Sequence, residues 1–164
     1  MEDKYVDLGL SVLWAEANFD VKSPRAYGKR LDLTEMKTAN RWFIKIGGPR
    51  LPTEQEANEL ITKCSITKLV YYAKKKEMFM TVTPKFLFKI TGPNGNHIII
   101  PVHPRNVYKT TLQANLWVEN GNVPTLLNIW CDRLKNPLGI TNQTTTSQTL
   151  QMRCVKPKSD ENKI

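Results

Sequence analysis

Histidine, cysteine and clustered charge are where chemistry would begin in this chain, and none is spaced as a reaction centre. His97 and His103, the only two histidines, stand six residues apart. Across a strand, that spacing does not by itself bring two imidazoles onto one metal ion, and His97 reads as part of a turn. The three cysteines, Cys64, Cys131 and Cys154, are odd in number and widely separated, which is neither a disulfide framework nor a zinc pattern. Buried thiols are the expectation, with a Cys131–Cys154 bridge left open for an oxidising compartment. No Ser/His/Asp or Cys/His relay can be assembled. Gly47-Gly48-Pro49 lacks the Lys-Ser/Thr ending of a phosphate loop. Asn122-Val123-Pro124 has too few carboxylates around it to hold calcium. The residues therefore point away from an enzyme and imply no metal and no cofactor.

Binding chemistry is better represented. Trp117, Glu119, Asn120, Trp130 and Arg133 combine aromatic area, hydrogen-bonding groups and charge, and Trp and Arg are common anchors of interfaces. The other reading of the two tryptophans is that at least one plugs the core. A second group, Lys68, Tyr71, Tyr72, Lys74, Lys75 and Lys76, could follow a phosphate backbone while its rings stack on bases. The plainer reading of that group is a lysine-rich strand edge that resists sheet-to-sheet association. A formal net charge of +9 and a pI near 9.5 favour contact with nucleic acid or other polyanions. Nucleic acid is accordingly the alternative partner, behind a protein or glycan. The triplet Asn142-Gln143-Thr144 fits a glycosylation sequon but has no export signal to give it meaning.

These residues need elements to hold them. A chain of 164 residues with 40% apolar and 24% charged side chains suits one globular domain. Val6, Leu8, Leu10, Val12 and Trp14 fall at every second position, which predicts a strand or hairpin with one buried face and a bend at Gly9. The short apolar run from 42 to 46, closed by Gly47-Gly48-Pro49, reads as a strand. Thr53 with Glu56 forms a capping box. Behind it Ala57, Leu60, Ile61 and Cys64 share one helical face, so a helix is predicted near 53–64. Residues 86–102 read as a β-hairpin around Thr91-Gly92-Pro93-Asn94-Gly95-Asn96, with Pro101 at an edge or strand end. From 107 to 149 the periodicity weakens, and the polar tract from 141 to 149 reads as an exposed loop. Leu150, Met152 and Cys154 then alternate with Gln151, Arg153 and Val155 as a final strand. The charged tail, 158–164, is expected to fray.

Taken in order, Tyr5-Val6-Asp7-Leu8-Gly9-Leu10, Leu13-Trp14-Ala15, Asn18, Tyr27-Gly28, Arg50-Leu51-Pro52-Thr53, Gly92-Pro93-Asn94-Gly95 and Arg153-Cys154-Val155 resemble the Fibrobacter succinogenes major paralogous domain family, which is common in Bacteroidetes. The resemblance runs from about residue 5 to 157. It implies an α+β, C-type-lectin-like fold: short antiparallel strands, one clear helix, paired first and last strands, and a long irregular loop region forming an exposed face. The Gly-rich stretch and Trp-Ser-Ser-like motif of relatives are absent; Leu116-Trp117-Val118-Glu119 is the nearest match to the latter. Nothing around Cys131 or Cys154 reproduces the cysteine chemistry of formylglycine-generating relatives.

The expectation is a single domain over 1–157. It would be a non-enzymatic binding or adhesion module that meets a protein or glycan through the loop face near 105–145. The same fold serves phage virions as a binding surface, so a virion or surface-assembly component is one form of this reading. The N-terminus has no basic, then apolar, leader pattern, and no run is long enough to span a bilayer. Those features suggest a cytoplasmic or virion-associated protein, or one that reaches the cell surface by another route.

Overall fold

Period-two patterning at the N-terminus folds as expected. Strand β1 (Tyr5–Asp7) pairs antiparallel with β2 (Val12–Ala15), with Tyr5 opposite Ala15. Leu8, Leu10, Val12 and Trp14 are all buried. Strand β2 also pairs antiparallel with the last strand, β9 (Val155–Pro157), placing Trp14 opposite Val155. The two ends of the chain therefore meet in one sheet of order β1-β2-β9. The computed structural model describes residues 4–72, 84–102, 111–119, 125–132, 137–144 and 150–158.

Two helices follow the first hairpin, α1 (Leu33–Lys45) and α2 (Glu54–Lys63). The second is the predicted one. Thr53 accepts a hydrogen bond from the Glu56 N–H, and Glu56 accepts one from the Thr53 N–H. Ala57 and Leu60 are buried, with Ile61 and Cys64 packed against the same core. The first corrects the reading of 42–46 as a strand. It starts with an equivalent capping box, in which Asp32 and Glu35 exchange hydrogen bonds. It ends in a Schellman arrangement: the Gly47 N–H reaches the Ile44 carbonyl at 3.1 Å and the Gly48 N–H reaches that of Phe43 at 2.9 Å. Gly47 takes a φ of +70°, which glycine adopts without the strain a Cβ would bring. A short apolar run before Gly-Gly-Pro cannot by itself distinguish a strand from a last helical turn.

The middle sheet has the order β3-β4-β5, built from β3 (Ser65–Tyr72), β4 (Pro84–Thr91) and β5 (His97–Pro101). The predicted hairpin is present, with Thr91 opposite His97 and Pro101 ending the edge strand β5. Its turn lies against the first hairpin: Asn94 and Asn96 both donate to the Asp7 carbonyl, at 2.8 and 2.9 Å.

The largest departure from expectation lies in the late third. Residues from 107 to 149 include three antiparallel strands, β6 (Thr111–Val118), β7 (Thr125–Asp132) and β8 (Pro137–Thr144), rather than a long irregular loop. The polar residues 141–144 belong to β8; residues 145–149 lie outside the described part. Described positions of β6 and β7 are covered on both faces. Ala114, Leu116, Val118, Leu127 and Ile129 enter one hydrophobic cluster, and Trp117 and Leu126 enter the other. These described stretches of β6 and β7 form an internal partition. The architecture is thus α+β, with two helices and three three-stranded antiparallel sheets among the described residues. No helix among them is long and apolar enough to cross a membrane.

The final segment also differs. Leu150 and Gln151 make isolated bridges to Leu31 and Leu116, and the regular strand begins only at Val155. Gln151 and Arg153, which alternate with Leu150, Met152 and Cys154, are buried together with these apolar neighbours.

Candidate functional site

Where the chain ends meet, the polypeptide leaves an open cleft of about 660 Å³. Its floor comes from Ala15, Asn18 and Cys154, and Tyr5, Phe19 and Phe43 supply aromatic wall. Charges of both signs line it: Lys4 and Lys22 against Glu16 and Asp20. Phe19 and Phe43 meet edge to face, with centroids 5.7 Å apart and planes at 77°, a favoured arrangement for paired rings. The Lys156 ammonium lies 4.5 Å from the centroid of the Tyr5 ring, within cation–π range.

Backbone bonds tie this segment to the C-terminus. The Ala15 N–H donates to the Cys154 carbonyl at 2.9 Å, and the Phe19 N–H to that of Met152 at 2.7 Å. Beneath the floor lies Arg153, fully buried. Its guanidinium donates to Asn18 Oδ1 at 2.7 Å and to the carbonyls of Ala15, Glu16 and Ile99 at 3.0, 2.9 and 2.8 Å. One side chain thus holds β2, the 16–18 segment and β5 in register. Burial lowers its pKa to about 9, with nearby Cys154 and Glu16 opposing the shift. The group stays cationic at neutral pH, and its fixed fork of donors suits several converging acceptors.

Asn18 and Gln151 both donate to the Tyr27 carbonyl. Next to it, Gly28 has a φ of +76°, and a Cβ there would lie 2.6 Å from the Phe19 carbonyl. Any larger residue would collide with the cleft wall or strain the backbone. Asn18, Tyr27-Gly28 and Arg153, separate motifs along the sequence, are thereby gathered behind one surface.

Of the residues predicted for binding, the two with described side chains, Trp117 and Glu119, lie outside the cleft lining. Trp117 is fully buried and its indole N–H donates to the Leu31 carbonyl at 2.9 Å, the core-plug role. Glu119 accepts from Asn40 at 3.2 Å, while Asn40 Oδ1 takes the Leu51 N–H at 2.9 Å; the carboxylate helps seat α1. Trp130 occupies β7 opposite Gln113 and Gly139, but its side chain, and Asn120 and Arg133 entirely, lie outside the described residues. In the basic group, Lys68 is a half-buried member of β3 opposite Phe88. Tyr71 and Tyr72 complete that strand, and Lys74, Lys75 and Lys76 lie outside the described residues.

Sequence reasoning misses the cleft because its lining comes from four distant segments with no shared motif. Arg153 left a signal, a lone cation inside an otherwise uncharged run from 150 to 155, but alternation assigns it to the outer face. Among the described residues no three His, Cys, Asp or Glu side chains cluster as metal ligands. His97 is exposed at the start of β5, and His103 lies outside the described residues. Cys154 is a buried thiol, and Cys64 a half-buried one whose pKa is raised by burial and by the Glu59 carboxylate. No protein-family model, curated protein or solved structure matches this chain.

Proposed function

We propose that this chain is a non-enzymatic binding module with a C-type-lectin-like fold, which receives a segment of a protein or glycan in the cleft between its chain ends. The observation that carries the reading is the cleft itself. Aromatic rings from Tyr5, Phe19 and Phe43 offer apolar and stacking contact. Lys4, Lys22, Glu16 and Asp20 add polar groups of both signs, and Arg153 fixes the floor beneath them. A concave, mostly preformed site with a few polar groups is what ligand recognition requires. Its balanced charge suits a peptide or sugar better than a phosphate backbone. Pairing of β2 with β9, and the capping box behind Arg50-Leu51-Pro52, support the fold assignment. The binding surface is placed at the cleft because Trp117 and Glu119 are engaged inside the protein. A virion or surface-assembly component remains the form of this function that joins such a module to a larger structure.

The experiment is a screen of the full chain on arrays of synthetic peptides and glycans, beside an Ala17→Trp variant that fills the cleft. Ligands held by the cleft should lose at least about tenfold in affinity, the effect of removing one good anchor. Retention of every hit by the variant would refute the assignment.

A further inference from the structure

The last turn of α1 exposes three large apolar side chains, Trp42 at 59%, Ile44 at 55% and Ile46 at 55%. More than half of each side chain is open to solvent. A Cβ on Gly47 would meet nothing within 4 Å, and the atoms nearest one on Gly48 belong to Ile46 and Phe43 of the same helix end. Lys37, Arg41 and Lys45 are exposed around them. None of the three has an ion-pair partner among the described residues.

Their arrangement limits what can cover them. At ~100° per residue, Trp42 and Ile46 lie on one shoulder of the helix and Ile44 about 200° away from each. A helix that docks in a protein groove presents apolar residues as one stripe at i, i+3, i+4 and i+7; here they sit on two shoulders, and the outer face between Ile44 and Trp42 carries the bases. Three side chains are also too few for a stable interface with a second copy, which needs roughly 800 Å² from each partner. A lipid surface has neither requirement. Indole prefers the boundary between headgroups and acyl chains, isoleucine reaches further in, and basic residues on the adjoining face meet anionic headgroups. Lys45 in the last turn also complements the negative end of the helix dipole.

We infer that the C-terminal end of α1, with Trp42, Ile44 and Ile46 flanking an outer face that carries Lys37, Arg41 and Lys45, is an interfacial anchor that docks the protein reversibly on an anionic bilayer. Phe43 from the same turn faces inward and lines the cleft, so docking would hold the cleft close to the lipid surface. This site is independent of the ligand proposed for the cleft.

The test is co-sedimentation of the full chain with phosphatidylcholine vesicles and with phosphatidylcholine–phosphatidylglycerol vesicles, at low and high salt. Binding is expected only to the anionic vesicles, weakening as salt rises. A Lys37→Glu/Arg41→Glu/Lys45→Glu variant should lose at least about a hundredfold in partitioning, the contribution of three bases near such a surface, with charge reversal adding to it. A Trp42→Ser/Ile44→Ser/Ile46→Ser variant should lose binding while keeping the wild-type circular dichroism spectrum. Trp42→Phe should still bind but lose the blue shift of tryptophan emission that vesicles induce in the parent. Failure to bind anionic vesicles, equal binding to neutral ones, or unchanged binding by the serine variant would overturn the inference. So would a dimer that forms without vesicles and dissolves in the serine variant, since the face would then belong to a second copy.

Discussion

Helices α1 and α2 begin with the same device and end in different circumstances. Each has an N-cap that exchanges hydrogen bonds with a glutamate three residues on, Asp32 with Glu35 and Thr53 with Glu56. Past that first turn they diverge. Ala57 and Leu60 of α2 are completely buried, and Glu56 carries a two-point ion pair to Arg50 with both contacts at 2.8 Å. The Arg50 N–H and carbonyl in turn pair with Val155, so α2 is fastened to the strand that closes the chain. In α1 only Met36 and Asn40 are buried; Phe43 reaches the cleft wall and the last turn carries its apolar side chains into solvent. Capping decides where a helix starts. What the helix does depends on which of its faces find partners: α2 is scaffold, and α1 presents surface.

That contrast can be broken by mutation. The largest effect is expected at the buried face of α2. Leu60→Ala should cost about 2–5 kcal/mol through lost burial and a residual cavity. Trp42→Ala, at an exposed site in α1, should stay within about 0.5 kcal/mol of the parent. Urea denaturation of both variants measures the difference, and comparable losses would abolish the distinction.

Glu56→Gln comes next. Glutamine can still cap the helix, so the change isolates the charged contact to Arg50 and should cost about 1–3 kcal/mol. It also has a pH signature. Burial pushes the Glu56 carboxyl up, but hydrogen bonds from Arg50 and the Thr53 backbone outweigh it and hold the pKa below the ordinary 4.5. As pH falls, the unfolded chain therefore takes this proton first. The stabilisation is whole above the ordinary value and is lost as pH descends toward the folded one. Stability followed from neutral pH into that acid range should drop less steeply for Glu56→Gln than for the parent. A parallel pair of curves would contradict the assignment.

The smallest effects sharpen what the helices share. Asp32→Ala and Thr53→Ala remove equivalent caps, and each should cost about 1 kcal/mol by the same denaturation assay. A much larger loss at Thr53 alone would show that its cap is inseparable from the Arg50–Glu56 pair.

Legibility in the sequence followed how burial is distributed. Where one face is buried, as in the first hairpin or α2, the period survives and the element could be read directly. The β6–β7 partition has apolar neighbours on both faces, so Leu116-Trp117-Val118 and Leu126-Leu127 run consecutively and the alternation disappears. Local polar composition then made a sheet read as loop. The first helix had its signals, Asp32 three residues before Glu35 and Gly47 after Lys45, but the compact run of Trp42, Phe43, Ile44 and Ile46 obscured them. Arg153 was hidden by the reverse problem. Its period is that of an exposed strand position, while its four hydrogen-bond acceptors lie between 54 and 138 residues away in sequence. Several motifs that carry the family resemblance share this property. Asn18, Tyr27, Arg50 and Arg153 make long-range bonds that hold the chain together, and the side chains that line the cleft stand beside them.

The decisive measurement is amide chemical-shift mapping of the labelled full chain with the strongest array ligand. Recognition in the cleft predicts perturbations concentrated at Tyr5, the 15–22 segment, Phe43 and Cys154, with strands β6 and β7 little affected. Perturbations concentrated in 111–132, with the 15–22 segment unmoved, would contradict the account and return recognition to the late third of the chain.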